Sequence, residues 1–207
     1  MKLLSFVLLL VSGVTCVLCG CSDNSAEPVS PAYQSVPGSG PLAKVVTTEY
    51  TFTDQPIATP TGDPPTLCGG VWQVKNWHLV EIFVASDPLM AGIMEHDMSA
   101  TIDAVTGEGP FHGAWKIIPS NTELTGGGWW EGTYEGFRSG PNPDGTWTSI
   151  VKALGHGVGG AIDGWKTAST ITLTVYHSHP GIPEDQAPPY PLSTGWRGEG
   201  TGYYIER

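Results

Sequence analysis

The chain has 207 residues and a net charge of −11, from 20 acidic and 9 basic side chains, yet only 14% of its residues are charged while Gly numbers 28 and Trp 8. No cluster of Lys and Arg follows the N-terminal segment, which argues against a nucleic-acid-binding surface and against a polybasic membrane-binding face. Many Gly and Trp without any sustained i, i+3, i+4, i+7 apolar pattern points to an all-β domain.

Lys2 followed by an apolar run from Leu3 to Leu10, continued by Val11, Val14 and Val17, has the layout of a secretory signal peptide. Ser12, Gly13 and Thr15 interrupt the run, whereas a membrane-spanning helix needs about 20 continuous apolar residues. Leu18-Cys19-Gly20-Cys21 resembles the bacterial lipobox, with an aliphatic residue three before the cysteine and a small one just before it. Cys16 and Cys19 lack such neighbours. The resemblance implies removal of residues 1–20, diacylglycerol on the Cys21 thiol and acylation of its freed amine. Each buried CH₂ contributes about 0.8 kcal/mol, so two or three chains anchor firmly where one does not. The expected place is the cell envelope, lipid-anchored on the extracytoplasmic side; Ser22, rather than Asp, after the cysteine implies the outer membrane if the cell is diderm. With Cys21 a thioether, no internal disulfide is expected, and stability must come from the core.

Residues 21–41 are rich in Ser, Pro, Gly and Ala and read as a disordered tether. Residues 42–207 suffice for one domain. Strands are expected at 45–53 and 71–76, then where Leu79, Glu81 and Phe83 alternate with Val80, Ile82 and Val84. Met98, Ala100, Ile102 and Ala104 form the next alternating set, followed by Phe111, Gly113, Trp115 and Ile117. Residues 128–138, the face of Trp147, Val151 and Ala153, the Thr-rich alternation of Ile171, Leu173 and Val175, and 197–205 complete eight or nine strands. Asp87-Pro88, Pro119-Ser120-Asn121, Thr125-Gly126-Gly127 and Pro141-Asn142-Pro143-Asp144-Gly145 carry the turn chemistry between them. Five prolines over 180–191 predict a long irregular loop before the last strand. The expected fold is a single antiparallel β-barrel of about eight strands, with a β-sandwich as the alternative, because closure removes exposed sheet edges.

On a strand, Trp130, Gly132, Tyr134 and Gly136 point one way and Trp129, Glu131, Thr133, Glu135 and Phe137 the other. Alternating large and absent side chains let rings lie across glycines and let a sheet coil tightly. This hairpin, Gly128-Trp129-Trp130-Glu131-Gly132-Thr133-Tyr134-Glu135-Gly136, together with Gly157-Val158-Gly159-Gly160-Ala161-Ile162-Asp163-Gly164 and the Thr-rich strand after it, resembles the bacterial allene oxide cyclase-like and dirigent-like β-barrel group. The resemblance covers about 50 residues. It implies an eight-stranded barrel with a small apolar interior, in a group whose plant relatives steer reactive small molecules inside the barrel. It places no catalytic residue on this chain.

Gly155-His156-Gly157-Val158-Gly159-Gly160 satisfies G-x-G-x-x-G, but no helix follows to receive a pyrophosphate. His177 and His179 share the inward parity of Ile171 to Val175, yet zinc needs a third ligand and Pro180 ends the strand. Neither a metal nor a cofactor is therefore expected. Glu95-His96-Asp97 reads as a solvated loop before a strand, and Cys68 as a buried thiol. Glu131 and Glu135 stand four strand residues apart, about 13 Å, beyond the roughly 5–9.5 Å of paired glycosidase carboxyls. The expectation is a non-enzymatic barrel binding a small apolar or aromatic ligand, lined by Tyr134, Trp147 and His177 on strand parity. Two alternatives remain: an isomerase or cyclase acting by confinement, and a protein- or carbohydrate-binding surface module using exposed Trp72, Trp77 or Trp196.

Overall fold

The computed structural model describes residues 46–177, 191–193 and 195–206. The expected signal peptide over 1–20, Cys21, the tether over 21–41, His179 and most of the proline-rich loop lie outside the described residues.

Nine strands follow one another among the described residues: β1 Thr47–Pro56, β2 Thr66–Cys68, β3 Val71–Ala85, β4 Gly92–Asp103, β5 Gly109–Pro119, β6 Trp129–Arg138, β7 Trp147–Val158, β8 Lys166–Tyr176 and β9 Gly195–Ile205. From β3 to β9 each strand pairs antiparallel with the next, β9 pairs with β1, and β1 returns to β3. Eight strands thus close a barrel, and β2 hangs on the start of β3 outside the ring. The sandwich alternative is excluded by that closure. Two short helical turns, α1 at Thr122–Thr125 and a 3₁₀ turn at Gly160–Ile162, sit between strands.

The stretches read separately as 71–76 and 79–84 form one strand. Asn76 takes φ 54, and the register against β4 shifts between Val74 and Trp77. That bulge changes the parity, so Val74 on one side and Trp77, Leu79, Glu81 and Phe83 on the other all face inward. The Asn76 side chain donates to Asp63 Oδ2 at 2.8 Å, fixing the irregular backbone. Turn chemistry holds the other corners. Asp103 Oδ1 accepts the amides of Val105 and Thr106 at 2.9 and 2.8 Å, and Asp144 Oδ1 accepts that of Thr146 at 3.0 Å.

Glycines on the inner face receive the rings of neighbouring strands. Phe52 stands opposite Gly200, Tyr50 opposite Gly202, Phe111 opposite Gly136, and Trp115 opposite Gly132. A Cβ on Gly200 would lie 2.4 Å from Phe52 Cζ, and one on Gly155 would lie 2.4 Å from Trp115 Cζ2. Any side chain at these two positions would collide with a packed ring.

One end of the barrel is solid. Trp130 and Ile162 are fully buried there, Trp130 Nε1 donates to the Leu89 carbonyl at 2.8 Å, and Trp165 and Tyr204 pack against the Trp130 ring. At the opposite end Arg138, 5% exposed, donates to the carbonyls of Gly107 and Pro191 and lies 4.9 Å over the Trp147 ring. Between the two ends the interior is not filled.

Candidate ligand cavity and its buried polar cluster

The barrel encloses a cavity of about 120 Å³ whose wall is mostly apolar, with Val74, Leu79, Met94, Ala100, Val151 and Ile171 among its lining residues. Six ionisable side chains also reach it: Tyr50, Asp54, Glu81, His96, Tyr134 and Arg138. Strand parity explains how they come inward. Asp54 follows Tyr50 and Phe52 on β1, Glu81 lies between Leu79 and Phe83 on β3, and His96 lies between Met94 and Met98 on β4.

Side chains from four strands build one hydrogen-bonded chain. The Tyr134 hydroxyl, from β6, lies 2.9 Å from His96 Nδ1 and 3.3 Å from the Asp97 carbonyl. His96 Nε2 lies 2.7 Å from Glu81 Oε1, and the indole N–H of Trp196, from β9, donates to the same oxygen at 2.7 Å. Glu81 is 1% exposed. Its other oxygen, Oε2, and Oδ1 of Asp54 are buried and have no hydrogen-bond partner among the described residues. Asp54 is 3% exposed and follows a diagonal register to Glu81, since Asp54 faces Phe83 and Pro56 faces Glu81.

Burial pushes the Asp54 carboxyl well above the usual carboxylate range, and the charge of Glu81 pushes it the same way; the backbone N–H groups of Gly198 and of Asp54 itself pull weakly against them. Burial also raises the Tyr134 hydroxyl, with Glu81 and Asp97 adding to the effect. Tyr134 is thereby kept as a hydrogen-bond donor. A carboxyl of raised proton affinity, a phenol and a His–Glu pair in an apolar chamber can orient a polar guest or move a proton to and from one.

Of the residues expected to line the cavity, Tyr134 does so. Trp147 faces inward at the Arg138 end, fully buried, with its indole N–H on the Thr106 carbonyl at 3.0 Å. His177 stands just past β8, its Nδ1 3.0 Å from the Leu192 carbonyl. Both are outside the cavity lining.

Two expectations are corrected. Glu95-His96-Asp97 is not a solvated loop but the middle of β4, where period two turns His96 inward between two outward carboxylates. Trp72, Trp77 and Trp196 do not make an exposed aromatic patch: Trp77 is buried, Trp72 packs against the core, and Trp196 reaches the cavity. Asp54 and Glu81 carry no expectation from the sequence, and His96 and Trp196 are expected elsewhere than at the cavity, yet all four line it. The available signal was an acidic or imidazole side chain at an inward position of an otherwise apolar alternation, as in Leu79-x-Glu81-x-Phe83.

Cys68 is half-buried in β2, outside the ring. Among the described residues no three His, Cys, Asp or Glu side chains are grouped to hold a metal ion. Searches of protein-family models, curated proteins and solved structures returned no match to this chain.

Proposed function

We propose that the protein is a lipid-anchored envelope barrel that binds a small, largely apolar molecule inside its ring, with Cys21 as the acylated residue. The observation that carries the binding reading is the apolar cavity of about 120 Å³ with hydrogen-bonding groups held at its wall. A dry apolar cavity of about 150 Å³ accommodates benzene, which sets the size class of the guest. Apolar walls supply the affinity, and Tyr134 and the His96–Glu81 pair orient the polar part of the guest.

Thermal melting of the purified protein with increasing benzene tests this. A ligand at a hundred times its dissociation constant adds about 2.7 kcal/mol of stability, so melting should rise saturably. Ala153→Leu, which fills the cavity, should abolish the rise. No saturable rise with the unmodified protein rejects the reading. Anchoring is tested separately by mass spectrometry of the N-terminal peptide, which should carry acyl chains on Cys21 and lose them in Cys21→Ser.

A second reading, isomerisation or cyclisation by confinement, is favoured by one specific observation. Asp54 is a carboxyl whose proton affinity is raised by burial and by the neighbouring carboxyl of Glu81. Such a pair could give a proton to a carbonyl oxygen and take one from the adjacent carbon. Deuterium exchange at the α-carbons of cyclopentanone should then be accelerated and should lose that acceleration in Asp54→Asn. An exchange rate equal to that in buffer rejects it.

A further inference from the structure

Asp54 and Glu81 both line the cavity, each with an oxygen buried and without a partner among the described residues. Two basic side chains reach the same space. Arg138 spends its guanidinium on the Gly107 and Pro191 carbonyls and on the face of Trp147. His96 engages only Oε1 of Glu81, which also takes the Trp196 N–H, so Oε2 is left over. An unneutralised buried carboxylate is expensive, and an unpartnered buried acceptor adds to the cost. An occupant bringing donors and positive charge relieves both.

We propose that the cavity takes a small primary amine as its protonated cation, the ammonium seated between Asp54 Oδ1 and Glu81 Oε2 and the hydrocarbon part lying in the apolar chamber. The inference rests on the cavity-binding reading and adds the chemical class of the guest. An ammonium has three donors and no acceptor, so two of its donors meet the two bare carboxyl oxygens. A carboxylate guest would face two acids. A neutral alcohol would satisfy one oxygen and leave the charge. A metal ion is disfavoured because no three ligating side chains converge among the described residues. Phe83, stacked on Phe52 with ring centroids 4.4 Å apart, and Trp196 supply aromatic surface beside the two acids, a setting that favours a cation over an anion. The cavity volume limits the guest to about four to six carbons.

The full-length protein is titrated by calorimetry at neutral pH with butylamine, 1-butanol, butyrate and benzene. Butylamine should bind at least tenfold more tightly than 1-butanol, and butyrate should not bind. The preference for the amine should vanish in Asp54→Asn and in Glu81→Gln, while benzene binds both variants as it binds the parent. Binding of 1-butanol or butyrate as tight as that of butylamine overturns the proposal, as does a preference unchanged in both variants. If benzene binds and butylamine does not, the amine assignment falls and the cavity reading stands. If none of the four binds, both fall. The comparison among ligands on the unmodified protein decides the matter even where a variant fails to fold.

Discussion

Asp54 folds its carboxyl across the backbone of Gly198 on the paired strand: a Cβ built on Gly198 would stand 1.7 Å from Asp54 Oδ1 and 2.8 Å from Leu173 Cδ2. The missing side chain of one residue is therefore the seat of the other. Gly198→Ala should displace the carboxyl and cost roughly 1–3 kcal/mol through overpacking. In an Asp54→Ala background the same change should cost markedly less, because the colliding group is gone. Denaturant melts of the four proteins of the cycle measure the coupling. Equal costs in both backgrounds would show that Gly198 is needed for some other reason.

The sign of the Asp54 shift fixes a pH dependence. Burial and Glu81 raise its carboxyl in the folded protein above the ordinary value of 3.8. The contribution of its protonated form to stability is complete below the unfolded value and fades as pH rises toward the folded one. Asp54→Asn keeps the shape and removes the titration. The variant should melt close to the parent at acid pH and several degrees above it at pH 8, as followed by circular dichroism. A parent that gains stability relative to the variant on going to pH 8 would mean the carboxyl is stabilised as an anion.

Tyrosine titration offers an independent check on the interior. Burial pushes Tyr50 from 10.0 up to about 12, opposed by its bond to Thr167, and it pushes Tyr134 upward as well. For a group raised in the folded state, the stabilisation is present below about pH 10 and is lost as pH climbs through 12. For Tyr50 this corresponds to about 3 kcal/mol. Ultraviolet titration of the folded protein should leave at least these two phenols un-ionised until the β-sheet signal collapses. In denaturant all seven tyrosines should ionise together near the ordinary value. Full ionisation without unfolding would place both hydroxyls in contact with water.

The barrel was legible because its determinants are local and repeated. Period-two alternation in Met98–Ile102 and Ile171–Val175, and the glycine-ring alternation of Trp130–Gly136, each fix which side faces in. The polar cluster was less legible because it is assembled across strands. Glu81, His96, Tyr134 and Trp196 come from β3, β4, β6 and β9, and nothing in any one strand says that the other three stand opposite. His96 was hidden further by its neighbours: between Glu95 and Asp97 it looks like part of a charged surface, while parity alone decides that it points the other way. Trp147 shows the converse. Its inward parity was readable, but its distance along the barrel axis was not, and it seals the Arg138 end instead of lining the cavity.

Trp129 and Trp130 are adjacent in sequence and opposite in environment, which gives the barrel wall a built-in control. Trp130 is fully buried, its N–H satisfied by the Leu89 carbonyl and its ring against Trp165 and Tyr204. Trp129 points outward, donating to Glu131 Oε2 at 2.8 Å beneath the Lys116 ammonium. Trp130→Ala should cost about 3–5 kcal/mol as a buried aromatic deletion and open the solid end of the barrel. Trp129→Ala removes a solvent-facing ring and a cation–π contact worth about 0.5–1 kcal/mol at an exposed site. Chemical denaturation of the two variants should separate them by well over 1 kcal/mol in that order, with amide exchange accelerated around Leu89 and Ile162 only in Trp130→Ala. Comparable losses in the two would mean that the strand's parity, and with it the inward direction of Tyr134, is wrong.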